Sequence, residues 1–107
     1  MSVLHICGDT NHLISQMAET GPDGLSLDKL VNLPKVCDQL DGDMVVIGNV
    51  DPVSVVTFGN ENMVKEKSEE LIRTMRGKEN FILSTGCDIP QTAPIGNIKA
   101  MMSVKGP

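Results

Sequence analysis

The stretch Met44-Val45-Val46-Ile47-Gly48 is a continuous apolar run that does not alternate between apolar and polar residues. A strand that is covered on both faces has this pattern, and such strands are typical of parallel sheets packed between helices. Three further segments rich in apolar residues are also followed by turn residues. Together they predict four strands, at residues 3–7, 24–27, 44–48 and 81–84.

Each predicted strand is followed by a helical pattern. The helices are predicted to run from a cap at Asp9 or Thr10 to Gly21, from near Leu33 to Gly42, over 52–58, over 60–76 and over 97–104. Four consecutive β/α units predict an α/β fold with a parallel sheet and right-handed crossovers.

Two architectures have this alternation of strands and helices: a small open doubly wound sheet and half of a (β/α)8 TIM barrel. A barrel usually needs roughly 250 residues, so four units are about half of one. No linker or low-complexity segment divides the chain. We therefore treat residues 1–107 as a single domain.

Composition narrows the function classes. The chain carries a net charge of -5 and 2% aromatic residues, which argues against nucleic-acid binding because that needs a basic surface and stacking rings. No apolar run is long enough to span a bilayer, and the start lacks the pattern of a signal peptide. Three cysteines, an odd number, indicate thiols or metal ligands rather than a disulfide framework, so we expect a cytoplasmic protein.

The carboxyl ends of parallel strands are where active sites collect, and all four predicted strands end in polar or metal-capable residues. These are His5, Cys7 and Asp9, then Asp28, then Asn49 and Asp51, then Cys87 and Asp88. His5 and Cys7 are two residues apart and face the same side of a strand. With Cys87 they would form a nitrogen and sulfur site of the kind that holds zinc and leaves one position open.

Each of these residues also has a purely structural interpretation. Asp9 and Asp88 are expected first as helix N-caps, and the segment from Asn49 to Pro52 is also typical of a turn. Cys37 is expected to pack in the core, and His12 is expected to be exposed. The spacing alone leaves open whether His5, Cys7 and Cys87 meet.

Longer motifs carry a family resemblance. His5-Ile6-Cys7-Gly8, followed far downstream by Ser84-Thr85-Gly86-Cys87-Asp88-Ile89-Pro90, resembles the His-x-Cys and Cys zinc signature of the methylcobalamin:coenzyme M methyltransferases. These enzymes belong to the uroporphyrinogen decarboxylase superfamily of (β/α)8 barrels. The segments 48–52 and 92–98 are similar to that superfamily's Gly-Asn-x-Asp-Pro and Thr-Pro-x-x-Asn motifs. The resemblance covers the C-terminal portion of a family member.

The resemblance implies a function and a set of site residues. It implies zinc held by His5, Cys7 and Cys87, and methyl transfer from methylcobalamin on a partner corrinoid protein to the thiol of coenzyme M, as in methanogenesis. Asp28 is our candidate for a carboxylate in the fourth zinc position. We predict Asp28, Asn49 and Asp51 as catalytic residues.

Two alternatives stay open. Decarboxylases of the superfamily, which act on tetrapyrroles, need no metal and typically carry Gly-His-Gly where this chain has Gly86-Cys87-Asp88. The other alternative is a non-catalytic half-barrel. Because four units leave two open sheet edges, we also expect homo-oligomers.

Overall fold

The structure is a computed structural model that describes residues 1–40, 42–78 and 80–104. Its centre is a parallel four-stranded sheet in the order β1-β2-β3-β4. The strands are β1 (Val3–Ile6), β2 (Gly24–Leu27), β3 (Val45–Val50) and β4 (Phe81–Thr85). A doubly wound sheet reverses its strand order at a switch point, whereas successive barrel strands stay in sequence. The observed order is that of consecutive (β/α)8 barrel units, and the predicted α/β fold is confirmed.

One or two helical segments follow each strand. They are α1 (Ile14–Glu19), α2 (Leu33–Gln39), a π-helical segment (Pro52–Thr57), α3 (Glu61–Thr74) and α4 (Ile95–Ser103). Two start signals are clear: the side chains of Asn32 and Asn60 accept hydrogen bonds from backbone amides three residues on, and so cap α2 and α3. In the part of the chain that the structure describes, no helix has the length and apolar character to cross a membrane.

The predicted cap of the first helix is wrong. The Asp9 carboxylate accepts hydrogen bonds from the backbone and the side chain of Asn11, at 3.1 and 2.6 Å, and so closes a local turn. The helix then begins only at Ile14. Asp88 is not a helix cap either, because α4 begins seven residues later, after Pro94. His12 is exposed and Cys37 packs against the core, both as predicted.

One face of the sheet is covered by the helices and carries two buried apolar clusters. The first cluster joins β2 to α1 and α2, with Leu25 and Leu27 fully buried. The second joins the end of β3 to the π-helical segment, α3 and α4. Buried Asn97 of α4 donates hydrogen bonds to the carbonyls of Val56 and Gly59, and so ties α4 to the π-helical segment.

None of the described residues forms a helix over the opposite face of the sheet, which we call the uncovered face. His5, Ser26, Ile47 and Ile82 lie side by side across the four strands in this register. On this face Val3 is 45% exposed and Ile82 is 49% exposed. The carboxyl end of this face is where the predicted ligands lie.

Candidate metal centre

His5, Cys7 and Cys87 come together at the carboxyl end of the sheet. His5 lies in β1, Cys7 follows the end of β1, and Cys87 lies in the bend after β4. Their possible ligand atoms all lie within 4.8 Å of one another, and Nε2 of His5 is 3.2 Å from the Sγ atom of Cys7. The outermost strands of the sheet thus supply one nitrogen and two sulfurs to one place.

The second ring nitrogen of His5 is held by β2. Nδ1 lies 3.0 Å from the Ser26 carbonyl oxygen and 2.9 Å from its hydroxyl oxygen. With a proton on Nδ1, the ring donates to the carbonyl, and Nε2 is left as an acceptor that points toward the sulfurs. Metal-binding histidines are usually oriented in this way, by a hydrogen bond from the ring nitrogen that does not bind the metal.

The loop after β2 fixes the turn that carries Cys7. One oxygen of the Asp28 carboxylate accepts the backbone amide of Gly8 at 2.6 Å, and the other accepts that of Lys29 at 2.7 Å. Asp28 is almost fully buried. The structure does not bring Asp28 into the ligand group, because its two oxygens are turned to these amides.

The same loop supports the bend that carries Cys87. Gly86 is buried, and a Cβ atom there would lie 2.6 Å from the backbone nitrogen of Lys29, so a side chain does not fit without movement of the backbone. The Gly86 amide donates to the carbonyl of Val50 at 2.8 Å, and the Thr85 hydroxyl donates to the Cys87 carbonyl at 2.9 Å. The bend therefore packs against the loop after β2 and is hydrogen-bonded to the end of β3.

The three groups shift one another's protonation. The hydrogen bond with Cys87 raises the pKa of His5 above its usual value. The hydrogen bond between the two sulfurs raises the pKa of Cys7 to about 11. Hydrogen bonds from Cys7 and then from His5 lower the pKa of Cys87, because they stabilise its thiolate. Cys87 is thus the first of the two sulfurs to lose its proton.

The donor set fits zinc. Zinc binds thiolate sulfur at about 2.3 Å and imidazole nitrogen at about 2.0–2.1 Å, which places tetrahedral ligand atoms about 3.5–3.8 Å apart. The distance of 3.2 Å between Nε2 of His5 and Sγ of Cys7 is slightly shorter than this, and no donor separation exceeds 4.8 Å, so small shifts bring the three donors to the separations that zinc needs. Three protein ligands with one position left over are typical of catalytic rather than structural zinc sites.

Asn49 and Asp51 lie at the same rim but make structural contacts. The Asn49 amide donates to the carbonyls of Asp28 and Val31, at 2.8 and 2.7 Å, and so holds the loop after β2 against β3. Asp51 caps the π-helical segment by accepting the amides of Val53 and Ser54.

Asp51 also carries an ion pair. Its carboxylate lies 3.4 Å from Nζ of Lys29. Burial alone would raise the pKa of Asp51, but the hydrogen bonds from the Ser54 side chain and from backbone amides outweigh it and lower the pKa. A charged Asp51 therefore helps to fix the position of Lys29 at the rim.

Sequence reasoning missed the residues that support the ligands. Ser26 orients His5, and Gly86 permits the close approach of the Cys87 bend to the loop after β2. The register that pairs His5 with Ser26 was not available from the strand patterns. The Gly-Cys pair was a usable signal, because a glycine inside a strand-ending segment often marks close approach of another backbone.

The chain is similar to known proteins in both sequence and fold. Residues 1–105 match the family model described as uroporphyrinogen decarboxylase (URO-D). The methylcobamide:CoM methyltransferase MtbA of Methanosarcina acetivorans is 35% identical over 101 residues, which are 94% of this chain and 28% of that protein. The uroporphyrinogen decarboxylase of Prochlorococcus marinus strain MIT 9312 is 32% identical over 95 residues, which are 89% of this chain and 26% of that protein.

A solved structure is similar as well. It is a methyltransferase from Methanosarcina mazei, with a TM-score of 0.82 and 30% identity over 94% of this chain and 29% of that one. The chain thus spans less than a third of the length of these relatives. The match to the family model covers nearly the whole chain, which therefore belongs to the uroporphyrinogen decarboxylase family.

Proposed function

We propose that this chain carries the zinc site of an enzyme that transfers a methyl group from a methylated corrinoid to the thiol of coenzyme M. The observation that supports it is the convergence of His5, Cys7 and Cys87 within 4.8 Å at the carboxyl rim of the sheet. The names of relatives such as the methylcobamide:CoM methyltransferases point to the same substrates. The donor would be methylcobalamin on a partner corrinoid protein, in the cytoplasm.

The chain's own residues would hold the metal and set its charge. His5 would bind through Nε2 while Nδ1 stays on Ser26, and Cys7 and Cys87 would bind as thiolates. Zinc in such a site lowers the pKa of a bound thiol and keeps it as a nucleophilic thiolate near neutral pH. Two thiolate ligands place negative charge at the site, which favours attack by the substrate sulfur on an electrophilic methyl group.

The substrate sulfur would take the fourth zinc position. Asp28, the residue predicted for that position, has a supporting role instead, because its carboxylate accepts hydrogen bonds from the backbone amides of Gly8 and Lys29. As a positioning residue, Asp28 would keep Cys7 in place without touching the substrate. Asn49 would act in the same way, through the loop that it holds.

A tetrapyrrole decarboxylase is the second candidate function. It is favoured by relatives with that name, one of which is 39% identical over 77 residues. Two thiol ligands and a histidine are not needed for metal-free decarboxylation, so the donor set favours methyl transfer. The two candidates differ in whether bound zinc is essential.

Metal analysis and thiol methylation test the proposal together. We expect about one zinc per chain after purification with zinc present, and methylation of coenzyme M by free methylcobalamin at a measurable rate. The Cys7→Ser and Cys87→Ser variants should each bind zinc at least about 10-fold more weakly, because the loss of a thiolate ligand removes a large part of the binding free energy. The matched control is Cys37→Ser, which changes a cysteine of α2 that packs against the core.

Either of two results would contradict the proposal. The first is full methyl transfer by the Cys7→Ser/Cys87→Ser double variant. The second is zinc content that is the same in the Cys87→Ser and Cys37→Ser variants. Stoichiometric zinc without methyl transfer would instead support the non-catalytic half-barrel, in which this segment binds metal and turns nothing over.

A further inference from the structure

The two sulfurs of the candidate metal centre are free thiols that lie close together at an accessible edge. Cys7 is exposed and Cys87 is partly exposed, and their Sγ atoms lie within 4.8 Å of each other. Each is carried by a turn rather than by the middle of a strand. Rotation of the exposed Cys7 side chain and a small shift of its turn would bring the sulfurs to the bonding distance of about 2.05 Å.

We propose that the metal-free site closes by oxidation to a Cys7–Cys87 disulfide, which excludes zinc until it is reduced. The oxidant is a peroxide. This inference rests on the proposed function in one respect, that zinc is the group kept out. The disulfide would make the site a redox switch in which metal and oxidant compete for the same two sulfurs.

The reaction balances with one peroxide for each site. One of the two sulfurs attacks a peroxide oxygen, the O–O bond breaks, and a sulfenic acid and one water (or alcohol) result. The other thiol then attacks the sulfenic sulfur, the S–O bond breaks and a second water leaves with the remaining thiol proton. Both sulfurs are oxidised by one electron each, and the peroxide is reduced by two electrons.

The consequence for zinc follows from the donor set. The disulfide removes both thiolates, and His5 alone remains as a donor of the three. A single imidazole does not hold zinc against water as three protein ligands do. In the opposite direction, bound zinc would draw electron density from the two sulfurs and hold them about 3.8 Å apart, so the loaded site should form the disulfide more slowly.

The third cysteine provides an internal reference. Cys37 lies on α2 and packs against the cluster on the helix-covered face of the sheet. Cys7 and Cys87 instead lie at the carboxyl end of the uncovered face. A specific disulfide should therefore leave Cys37 reduced, whereas indiscriminate oxidation would consume it as well.

The experiment treats the whole chain, stripped of metal by a chelator, with equimolar hydrogen peroxide under dilute conditions. Remaining thiols are trapped with N-ethylmaleimide, and intact mass and peptide mapping follow. We expect loss of two hydrogen atoms, one maleimide on Cys37 instead of three per chain, and a linked peptide pair that contains Cys7 and Cys87. Dithiothreitol should restore zinc binding.

A parallel sample contains zinc at 100 times its dissociation constant. Because only about 1% of sites are then open, disulfide formation should slow by about 100-fold. The Cys37→Ser variant should form the disulfide at the rate of the parent chain, and the Cys7→Ser variant should instead accumulate sulfenic or sulfinic acid on Cys87.

Several results would overturn the inference. One is the formation of sulfinic acids in the parent chain without a Cys7–Cys87 disulfide. Others are a disulfide between Cys37 and either Cys7 or Cys87, or disulfides that form only between separate chains. The last is an equal rate of oxidation with and without zinc in a chain that binds zinc. If the chain binds no zinc at all but the Cys7–Cys87 disulfide forms, the proposed function fails while the predicted bond stands. If zinc binds but no such bond forms, only this inference fails.

Discussion

His5 and the two sulfurs form a site in which protons and a metal compete for the same atoms. The hydrogen bond with Cys87 raises the pKa of His5, and Cys7 has a pKa of about 11. Without metal and near neutral pH, Cys7 is therefore a thiol. Zinc binds only the deprotonated forms of these groups, so its binding must release at least the Cys7 proton.

This competition predicts a pH dependence of zinc affinity. Each displaced proton changes the apparent binding constant about tenfold per pH unit, in the direction of tighter binding at higher pH. The Cys7 proton contributes at every pH below about 11. The His5 proton adds to the slope at the acidic end, because its raised pKa keeps the ring protonated to higher pH than usual. We expect the affinity to rise at least about 10-fold per unit from pH 6 to 8.

Competition with a chromophoric zinc chelator measures the affinity, and calorimetry in buffers of different ionisation enthalpy counts the protons. The Cys7→Ser variant is the matched comparison. It binds more weakly, and its slope should be lower by about one proton, because a serine hydroxyl offers no titrating group. A parent chain whose zinc affinity does not change with pH would show that the thiol protons are not displaced.

At the scale of elements, the loop after β2 supports the whole site. Its Asp28 carboxylate holds the turn after β1, and its backbone at Lys29 forms the surface on which Gly86 is seated. The Asn49 side chain holds the loop from the β3 side. The two ligand-bearing turns come from the two outermost strands, and they are kept in register by a loop that contributes no ligand.

Gly86→Ala tests this arrangement. The new Cβ would lie 2.6 Å from the Lys29 backbone nitrogen. To relieve this clash, the backbone at Gly86 must move away from the loop after β2, and this moves the bend that carries Cys87. We expect zinc affinity to fall by about 10-fold or more. A displaced Cys87 sulfur would no longer lie at the distance from the other two donors that zinc coordination requires. The measurements are zinc affinity and thermal unfolding of the metal-free chain.

Gly42→Ala is the matched control, because a Cβ at Gly42 meets nothing within 4 Å. The control should keep the affinity of the parent chain. Equal zinc affinity in the two alanine variants would mean that the close contact between Gly86 and the Lys29 backbone does not position Cys87.

The sequence patterns predicted the elements better than their ends. The run at 44–48 identified β3, which extends to Val50. Asn60 gave the start of α3 to within one residue because it is a true N-cap. The start of α1 was missed by several residues, since Asp9 satisfies the amide of Asn11 in a turn instead of capping a helix. Local pattern does not distinguish these two uses of an aspartate.

At the scale of the molecule, the candidate ligands were predictable but their support was not. His5, Cys7 and Cys87 could be proposed because parallel strands bring their carboxyl ends to one edge. The roles of Ser26 and Asp28 depend on the register of β1 against β2 and on the path of a loop. The register and the loop path are determined by packing between different β/α units, so neither can be predicted from the sequence pattern of one segment.

The uncovered sheet face predicts association of the 107-residue chain. Among residues 1–40, 42–78 and 80–104, the sequential strand order leaves β1 and β4 each with one unpaired edge, and Val3 and Ile82 on these strands are exposed. Unpaired edges next to an apolar surface favour pairing with another copy. We expect sedimentation velocity to show dimers or larger species whose fraction rises with concentration.

Ile82→Lys places a charge on the exposed face of β4 and should weaken this association by at least about 10-fold, which is about 1.4 kcal/mol. Ile95→Lys is the matched control, because Ile95 is 69% exposed on α4, away from the sheet face. The control should associate like the parent chain. A parent chain that sediments as a monomer at every concentration would contradict the prediction, and so would equal weakening by the two lysine variants, because the contact would then not involve the sheet face.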